Sequence, residues 1–510
     1  LYLVRQAASV RLDGWIVAMG VGLGVASAML AAIAPALEAA TTPPATAARE
    51  GAFVVTRAPS LRNATLAAVA LLALAALSAG WTVVERRPLG GFASAFLALA
   101  GFACLSPVAL ELGMRSLAGA TRRVFGVPGL LGARYLLETR VRSSVVVAAI
   151  LVAVGMTVAM SVMIGSFRRT VDQWVTQSLR GDLYVEPVGH RESASATALP
   201  LDLLTKLRAL PGVVAMDTYR GTPIEVGGRL AQAAGIDFEV QRDHGSLEFV
   251  DADTRAVFDR ALATSACVVT ESFAHRHRVA AGDSVTLDVP AGRVRLAIAG
   301  VFYDYSVDAG AVLMDRRLFA RLWGVDRTES LALYLAPGTD PEPVRQAIFA
   351  AAGPSTFLSA TPNQALRARV LEVFDQTFRI TWALQAIAVI VSVLGVVGSL
   401  TALILQRARE IGILRAVGAA RSQVRTMVLV ESGLLGAVGA LLGCAAGVVL
   451  ALILVHVINK QFFGWTVRWS LDPWIFVQAV TLMIVTSTLA GFLPARLAAG
   501  RLAREALRME

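Results

Sequence analysis

The sequence predicts an α-helical polytopic membrane protein with about seven transmembrane helices and one large extracytoplasmic α/β domain. Three observations carry that prediction. Of 510 residues, 56% are hydrophobic and only 16% are charged, where a soluble chain carries about 25% charged residues. Seven runs, near 14–36, 64–84, 90–110, 143–165, 379–405, 427–455 and 474–496, are each long enough to cross a hydrocarbon core, which takes about 20 apolar residues. Between the fourth and fifth runs lie about 210 residues of ordinary mixed polarity. A connection of that length is a folded domain, and it must stand outside the bilayer.

Arginine fixes the orientation. The loops on one side of the seven runs, which include Arg115, Arg122, Arg123, Arg409, Arg415 and Arg421, hold 18 basic residues, and those on the other side hold 6. The positive-inside rule makes the richer side cytosolic, so the large domain faces outward. Arg86 and Arg87 run against the rule. Residues 166–379 hold 23 basic and 26 acidic side chains, a net of −3, and the remainder of the chain carries +13. The excess charge therefore follows the cytosolic membrane surface and its anionic lipid rather than a nucleic acid.

Several chemistries are excluded early. Lys206 follows Thr205 and Lys460 follows Asn459, and the chain has no other lysine. The Gly-Lys-Ser/Thr step of a P-loop is thus missing, and this chain is no P-loop ATPase by itself. Cys104, Cys267 and Cys444 build neither a disulfide framework nor a zinc cluster. No cofactor or metal site is expected. The opening stretch has no basic region followed by a cleavage site, so it does not read as a secretory leader.

An internal repeat runs at a fixed offset of 459 residues. Leu12-Asp13-Gly14-Trp15-Ile16 matches Leu471-Asp472-Pro473-Trp474-Ile475, and Pro35-Ala36, Ala39-Ala40, Ala47 and Arg49 match Pro494-Ala495, Ala498-Ala499, Ala506 and Arg508. The first segment then reads as the last helix of one repeat, and the final four segments with the outward domain as a second, complete repeat. Equal repeats imply a parent chain of more than roughly 800 residues.

In the outward domain, residues 182–186, 284–288 and 293–301 alternate as strands, Leu201 to Leu210 and Pro341 to Ala352 read as helices, and Gly282-Asp283 marks a turn. No catalytic constellation emerges. His275 and His277 diverge on a helix and read as surface residues, and Ser265 with Asp283 is no triad on sequence proximity alone.

Two features of the last third carry mechanism. After the fifth run comes Arg407-Ala408-Arg409-Glu410-Ile411-Gly412-Ile413-Leu414-Arg415-Ala416-Val417-Gly418-Ala419-Ala420-Arg421-Ser422-Gln423-Val424. Ile413, Leu414 and Val417 share a helical face, charges flank them, and Gly418 offers a stop before Ser422 can cap the next helix. A short amphipathic helix at the cytosolic surface and an ordinary basic connector both fit this pattern. In the sixth run, Gly433, Gly436, Gly439, Gly443 and Gly447 are spaced to let another helix approach along one side. Glu431, at the cytosolic end of that run and near Arg425, is expected to snorkel or to pair with an arginine.

The stretch 407–424 closely resembles the cytosolic motif of the FtsX/MacB-type ABC transporter permeases. So does Leu493-Pro494-Ala495-Arg496-Leu497-Ala498-Ala499, and Gly132-Ala133-Arg134-Tyr135-Leu136 with Arg140-Val141-Arg142 looks like that family's amphipathic entry helix. The resemblance covers 129–510 fully and 1–50 as the tail of a first copy. It implies a last transmembrane helix and tail of a first FtsX-like repeat over 1–50, and a linker with two transmembrane helices over 51–128. Residues 129–165 would be the entry helix and first transmembrane helix of the second repeat, 166–378 the extracytoplasmic α/β domain, and 379–510 the permease domain with three transmembrane helices and the coupling helix.

The same resemblance implies a function. The chain would be a non-catalytic permease subunit of the bacterial inner membrane, coupling ATP hydrolysis by a separate cytosolic ATPase, a dimer, to an outward domain that exports or extracts lipid, lipoprotein, peptide or drug. The ATPase contact would fall on Arg409, Glu410, Ile411, Gly412, Leu414, Arg415, Gly418 and Gln423, with membrane lipid and a periplasmic adaptor or cargo protein as further partners. An alternative is a non-transporting scaffold that relays ATPase motion to cell-wall hydrolases. A secondary transporter would need charged pairs near the bilayer midplane, and only Glu431 approaches that requirement.

Overall fold

The computed structural model describes residues 14–41, 60–85, 89–188, 198–245, 247–250, 252–307, 309–324, 327–353, 357–406, 408–492 and 495–496. Five helices come first: α1 (Gly14–Thr41), α2 (Leu61–Glu85), α3 (Leu89–Cys104), α4 (Ser106–Glu138) and α5 (Arg140–Ser178). α3 and α4 are bent by 43° across a single residue. α4 breaks again at Gly126, whose φ of +67° is left-handed, just ahead of Pro128, a residue that cannot donate into a helical ladder. α5 has 39 residues and is about 58 Å long, so it must project well beyond a hydrocarbon core of about 30 Å.

The outward domain follows as β1 (Leu183–Pro187), α6 (Leu201–Arg208), β2 (Val213–Val226), β3 (Arg229–Ile236), α7 (Phe238–Asp243), α8 (Thr254–Thr264), β4 (Cys267–Thr270), α9 (Glu271–His277), β5 (Ser284–Val289), β6 (Gly292–Phe302), β7 (Ala311–Asp315), α10 (Arg316–Trp323), β8 (Ser330–Leu335), α11 (Pro341–Ala352) and β9 (Leu358–Pro362). The expected strands coincide with β1, β5 and β6, and the expected helices with α6 and α11. The strands form one sheet in the order β5-β6-β4-β7-β3-β2-β8-β1-β9. Pairs β3–β7 and β4–β6 are parallel, and the others are antiparallel. Helices begin where side-chain oxygens meet otherwise orphaned N–H groups: Asp253 accepts from the Ala256 amide, Thr270 from Phe273 and Asp340 from Glu342. Ser265 is the left-handed C-cap of α8 with φ +51°, and His277 stacks on Phe273 with ring centroids 4.2 Å apart.

β2 holds the two halves of the sheet together. Residues 213–219 pair with β8, and residues 220–226 turn to pair with β3. One half closes over a core of Leu183, Leu207, Leu333 and Ile348; the other packs Val269, Phe273, Leu287 and Met314 on one side and Phe238, Phe258 and Phe302 on the other. Where the pairing changes over, Asp217 is buried. Its carboxylate accepts from the Asp237 amide at 2.9 Å and from Gln241 Nε2 at 2.5 Å, while Thr218 donates through its amide and its hydroxyl to Asp237. Burial pushes the Asp217 carboxyl up to about 7.

The chain then returns through α12 (Asn363–Gln406), α13 (Ala408–Ala416), α14 (Arg421–Leu452) with a π-helical continuation Ile453–Asn459, α15 (Lys460–Phe463) and α16 (Pro473–Ala490). Outside the bilayer α12 runs beside α5, with Phe374 stacked on Phe167 and Arg367 on Asp172 at 2.8 Å. Among the described residues four helices are long and apolar enough to cross a membrane, and the bent pair α3–α4 makes a fifth. The expected number of seven is met only to that extent. The runs near 14–36 and 379–405 lie in α1 and α12, which are helical there without being among these candidates.

The glycines of α14 do not share one neighbour. A Cβ on Gly439 would meet Ile150 Cγ2 at 2.5 Å, on Gly443 Val154 Cβ at 2.8 Å, and on Gly447 Val158 Cβ at 2.7 Å, all on α5. Gly436 instead abuts Ser487, and a Cβ on Gly433 would lie 3.1 Å from Thr488 Oγ1, both on α16. The expectation of one groove is thus corrected to two: the spacings keep the five glycines on one broad side of the helix, and the neighbour changes along its length, α16 beside Gly433 and Gly436 and α5 beside Gly439, Gly443 and Gly447.

Two predictions follow from this packing. Gly447→Leu should destabilise the detergent-solubilised chain by about 1–3 kcal/mol through overpacking, whereas Leu441→Ala, at a side chain 59% exposed to the surroundings, should leave the melting temperature nearly unchanged. Asp217 is raised above its unfolded value of 3.8, so its contribution to stability is present below that value and is lost as pH rises through about 7. Melting temperatures of the wild-type chain between pH 5 and 8 should fall with pH, and Asp217→Asn should flatten the slope.

Candidate coupling site and its joint to the outward domain

α13 is a nine-residue helix on the return between α12 and α14. Its end is set by local chemistry: Gly418 takes a φ of +108°, the Val417 amide donates to the Ile413 carbonyl at 3.0 Å and the Ala419 amide to the Leu414 carbonyl at 3.0 Å. α14 begins at Ala420 rather than with a Ser422 cap, which corrects the expectation. There Gln423 Oε1 accepts the Ala420 N–H at 2.9 Å, so the side chain at the third helical position closes the first turn.

Of the residues expected here, Arg407 lies outside the described residues, and Arg409 and Glu410 sit in the first turn of α13. Ile411 is buried against Val424, Val428 and Ala495, which ties the helix to the cytosolic ends of α14 and the segment after α16. Gly412, Leu414 and Arg415 are half-buried. Ile413 and Val417 are 51% and 84% exposed. The amphipathic face is therefore divided, one isoleucine facing inward and two apolar side chains outward. Beside this unit the Arg425 guanidinium lies 5.9 Å from the Phe492 ring centroid. Glu431 is only 1% exposed and packs toward Gly132 of α4, where a Cβ would meet Glu431 Cγ at 3.3 Å. It faces the bundle interior instead of snorkelling to the surface.

At the opposite end is a site that the sequence reading did not find. Residues 464–470, between α15 and α16, form a strap across the foot of the outward domain. Glu271, the first residue of α9, accepts from the Thr466 amide at 2.8 Å and the Thr466 hydroxyl at 2.6 Å, with Lys460 Nζ 3.7 Å away. The Tyr305 hydroxyl donates to the Thr466 carbonyl at 2.7 Å. The other edge of the strap holds α5: the Arg468 amide donates to Thr170 Oγ1 at 3.0 Å, and Ser470 and Ser166 exchange two hydrogen bonds at 3.1 Å. The Arg468 side chain continues to Glu248, and Trp465 packs among Phe167, Tyr305 and Phe463. The only hint in the sequence is Trp465-Thr466-Val467-Arg468-Trp469, an alternation of aromatic and polar residues between two apolar runs. Its partner Glu271 stands 195 residues away.

A carboxylate accepting two hydrogen bonds from one residue contributes about 1.5–3 kcal/mol. Glu271→Ala and Thr466→Val should each destabilise the full chain on this scale. Their double variant should cost less than the two together, and hydrogen exchange at the amides of 466, 468 and 470 should accelerate.

Comparisons with known proteins agree on the kind of chain this is. Residues 143–351 match the MacB-like periplasmic core domain, and residues 382–501 match the FtsX-like permease C-terminal domain. An uncharacterised ABC transporter permease protein of Mycobacterium tuberculosis is 28% identical over 97% of this chain. The chain spans 58% of that relative's length. A macrolide export ATP-binding/permease protein of Escherichia coli is 33% identical over 132 residues, 26% of this chain and 19% of that protein. The crystal structure of the periplasmic region of MacB from Actinobacillus actinomycetemcomitans aligns with 38% of this chain and 95% of its own, at 11% identity and a TM-score of 0.30. The chain therefore carries a MacB-like periplasmic core domain and an FtsX-like permease C-terminal domain, and the relatives it resembles are ABC transporter permeases.

Proposed function

We propose that this chain works as a mechanical permease subunit in a bacterial inner membrane, driven by a separate cytosolic ABC ATPase dimer. The observation that carries the reading is the division of α13. Ile411 anchors the helix to α14 and to the segment after α16, while Ile413 and Val417 are left exposed toward the cytosolic side. A partner that presses on the exposed pair moves the anchored one. The ATPase contact then centres on Ile413 and Val417, with Arg409, Glu410, Gly412, Leu414, Arg415, Gly418 and Gln423 around them, and Ile411, expected in the contact, serves instead as the inward anchor.

From α13 the motion enters α14, whose Gly439, Gly443 and Gly447 seat directly on α5. α5 continues into the outward domain, and α14 leads through α15 to the strap on Glu271, so the outward domain receives the stroke along two routes. A helix pair in backbone contact has few intermediate arrangements, which suits a bistable element. The chemistry of hydrolysis belongs to the partner, and this chain carries force. We read residues 1–50 as the tail of a first repeat, 51–128 as a joining pair, and 129–165, 166–378 and 379–510 as the parts of a second repeat. The cargo class is lipid, lipoprotein, peptide or drug, delivered with or without a periplasmic adaptor.

Photocrosslinking residues placed at positions 413 and 417 of the full-length parent should capture an ABC ATPase, identified by mass spectrometry. Gly412→Asp or Leu414→Asp should uncouple ATP hydrolysis from output by ten-fold or more while leaving the chain folded. Full coupled activity in both variants would overturn the contact assignment.

A further inference from the structure

We propose that the foot of the outward domain, beside the strap, is a docking surface for the anionic phospholipid headgroups of the outward-facing leaflet, made by Arg229, Arg276 and Arg278 next to Lys460 and Phe462. This goes beyond the coupling function and does not depend on any ATPase.

Depth in the membrane is fixed by covalent and steric neighbours. The crossing Arg421–Phe463 ends at Gly464, whose φ of +77° turns the chain into the strap. A Cβ on Gly464 would lie 3.2 Å from Ser272 Cα and 3.3 Å from His275 Cβ. The last turn of α9 therefore stands beside the outer end of that helix, and the Phe92 and Phe462 rings, 5.8 Å apart, put this end level with the outer start of the α3–α4 crossing. The β2–β3 hairpin reaches the same level, because Arg229 Nη1 donates to the Arg276 carbonyl at 3.0 Å. Its tip is Gly227-Gly228, both left-handed with φ of +57° and +76°, the geometry a tight two-residue turn requires.

The side chains at this level have the composition of an interfacial surface. Phe462 and Phe463 are among the exposed aromatics. Phe92 of α3 packs edge-on to Phe462 at 5.8 Å, which extends the apolar rim onto the linker helices. Among the described residues no carboxylate forms an ion pair with Arg229, Arg276 or Arg278. Glu271 is committed to Thr466 and Lys460. Glu225 pairs across from Leu230, so strand alternation puts it on the opposite face from Arg229. Burial first, and then the charges of Arg229 and Arg276, hold the His277 imidazole below its usual range, which reports the positive potential of this corner. Arginines with no carboxylate partner at a leaflet surface attract anionic headgroups, and exposed phenylalanine seats the surface in the acyl boundary.

Hydrogen exchange of the full chain in nanodiscs tests this. In phosphatidylcholine with a third of the lipid replaced by phosphatidylglycerol, peptides covering 227–231 and 275–280 should exchange several-fold more slowly than in phosphatidylcholine alone. Salt near 1 M should remove the difference by screening. Arg229→Gln, Arg276→Gln and Arg278→Gln combined should abolish it. Arg278→Gln alone, which touches no hydrogen bond within the fold described above, guards against misfolding of the triple variant and should show a partial loss. Inorganic phosphate added to phosphatidylcholine nanodiscs should have no effect. Equal exchange in the two lipids, retention of the difference in both variants, or the same slowing from phosphate alone would each overturn the assignment.

Discussion

The close approach of α14 to α5 is the constraint on which the rest of this molecule depends. Without side chains at Gly439, Gly443 and Gly447, the helices meet backbone to side chain, with Ile150, Val154 and Val158 filling the space. In a membrane no hydrophobic drive separates helix from lipid, so contact of this kind and the dispersion it gains hold the pair. It also joins the two ends of the protein. α5 runs on into the outward domain, and α14 begins beside α13 and ends at the strap. A displacement at one end of that pair has no slack in which to be absorbed, because packed interiors respond to strain by shifting as units.

The strap gives the outward domain a second attachment. Long paired helices such as α5 and α12 fix a domain's height above the membrane but leave its tilt weakly determined. Thr466 held by Glu271 and Tyr305 clamps the domain's foot, and Ser470 held by Ser166 ties the same strap to α5. The geometry resembles a lever with a tie. In the proposed function, movement of α14 relative to α5 would change the angle between the two attachments and carry the domain with it. Glycine at 464 is what lets the chain turn from helix into tie within a single residue.

Within the domain, β2 plays the corresponding role. One strand serves two pairing partners in succession, and the changeover is held by a buried acid whose hydrogen bonds come from Asp237 and Gln241. A buried carboxylate is costly when charged, so this centre is firmest when Asp217 is protonated. The two halves of the sheet have separate hydrophobic cores. The polar node between them is thus where one half would pivot on the other.

The sequence alone determined the apolar runs, the sidedness of the arginines and the motif at 407–424. Each of these depends on properties local to the chain: length against bilayer thickness, charge against a membrane potential, and a helix stop written as Gly418. It also read β1, β5, β6, α6 and α11 from period and turn residues. What it could not supply was direction. Five glycines looked like one groove until the helix surface placed Gly433 and Gly436 against α16 and the other three against α5. Ile413, Leu414 and Val417 share a helical face by spacing, but the side chain that anchors α13 inward is Ile411. Glu431 was expected to snorkel or to pair with an arginine, and the packing of α4 encloses it in the bundle. The strap was decided by tertiary structure alone, because Glu271 and Thr466 carry no local signature and meet only when the outward domain settles on the ends of the helices that support it.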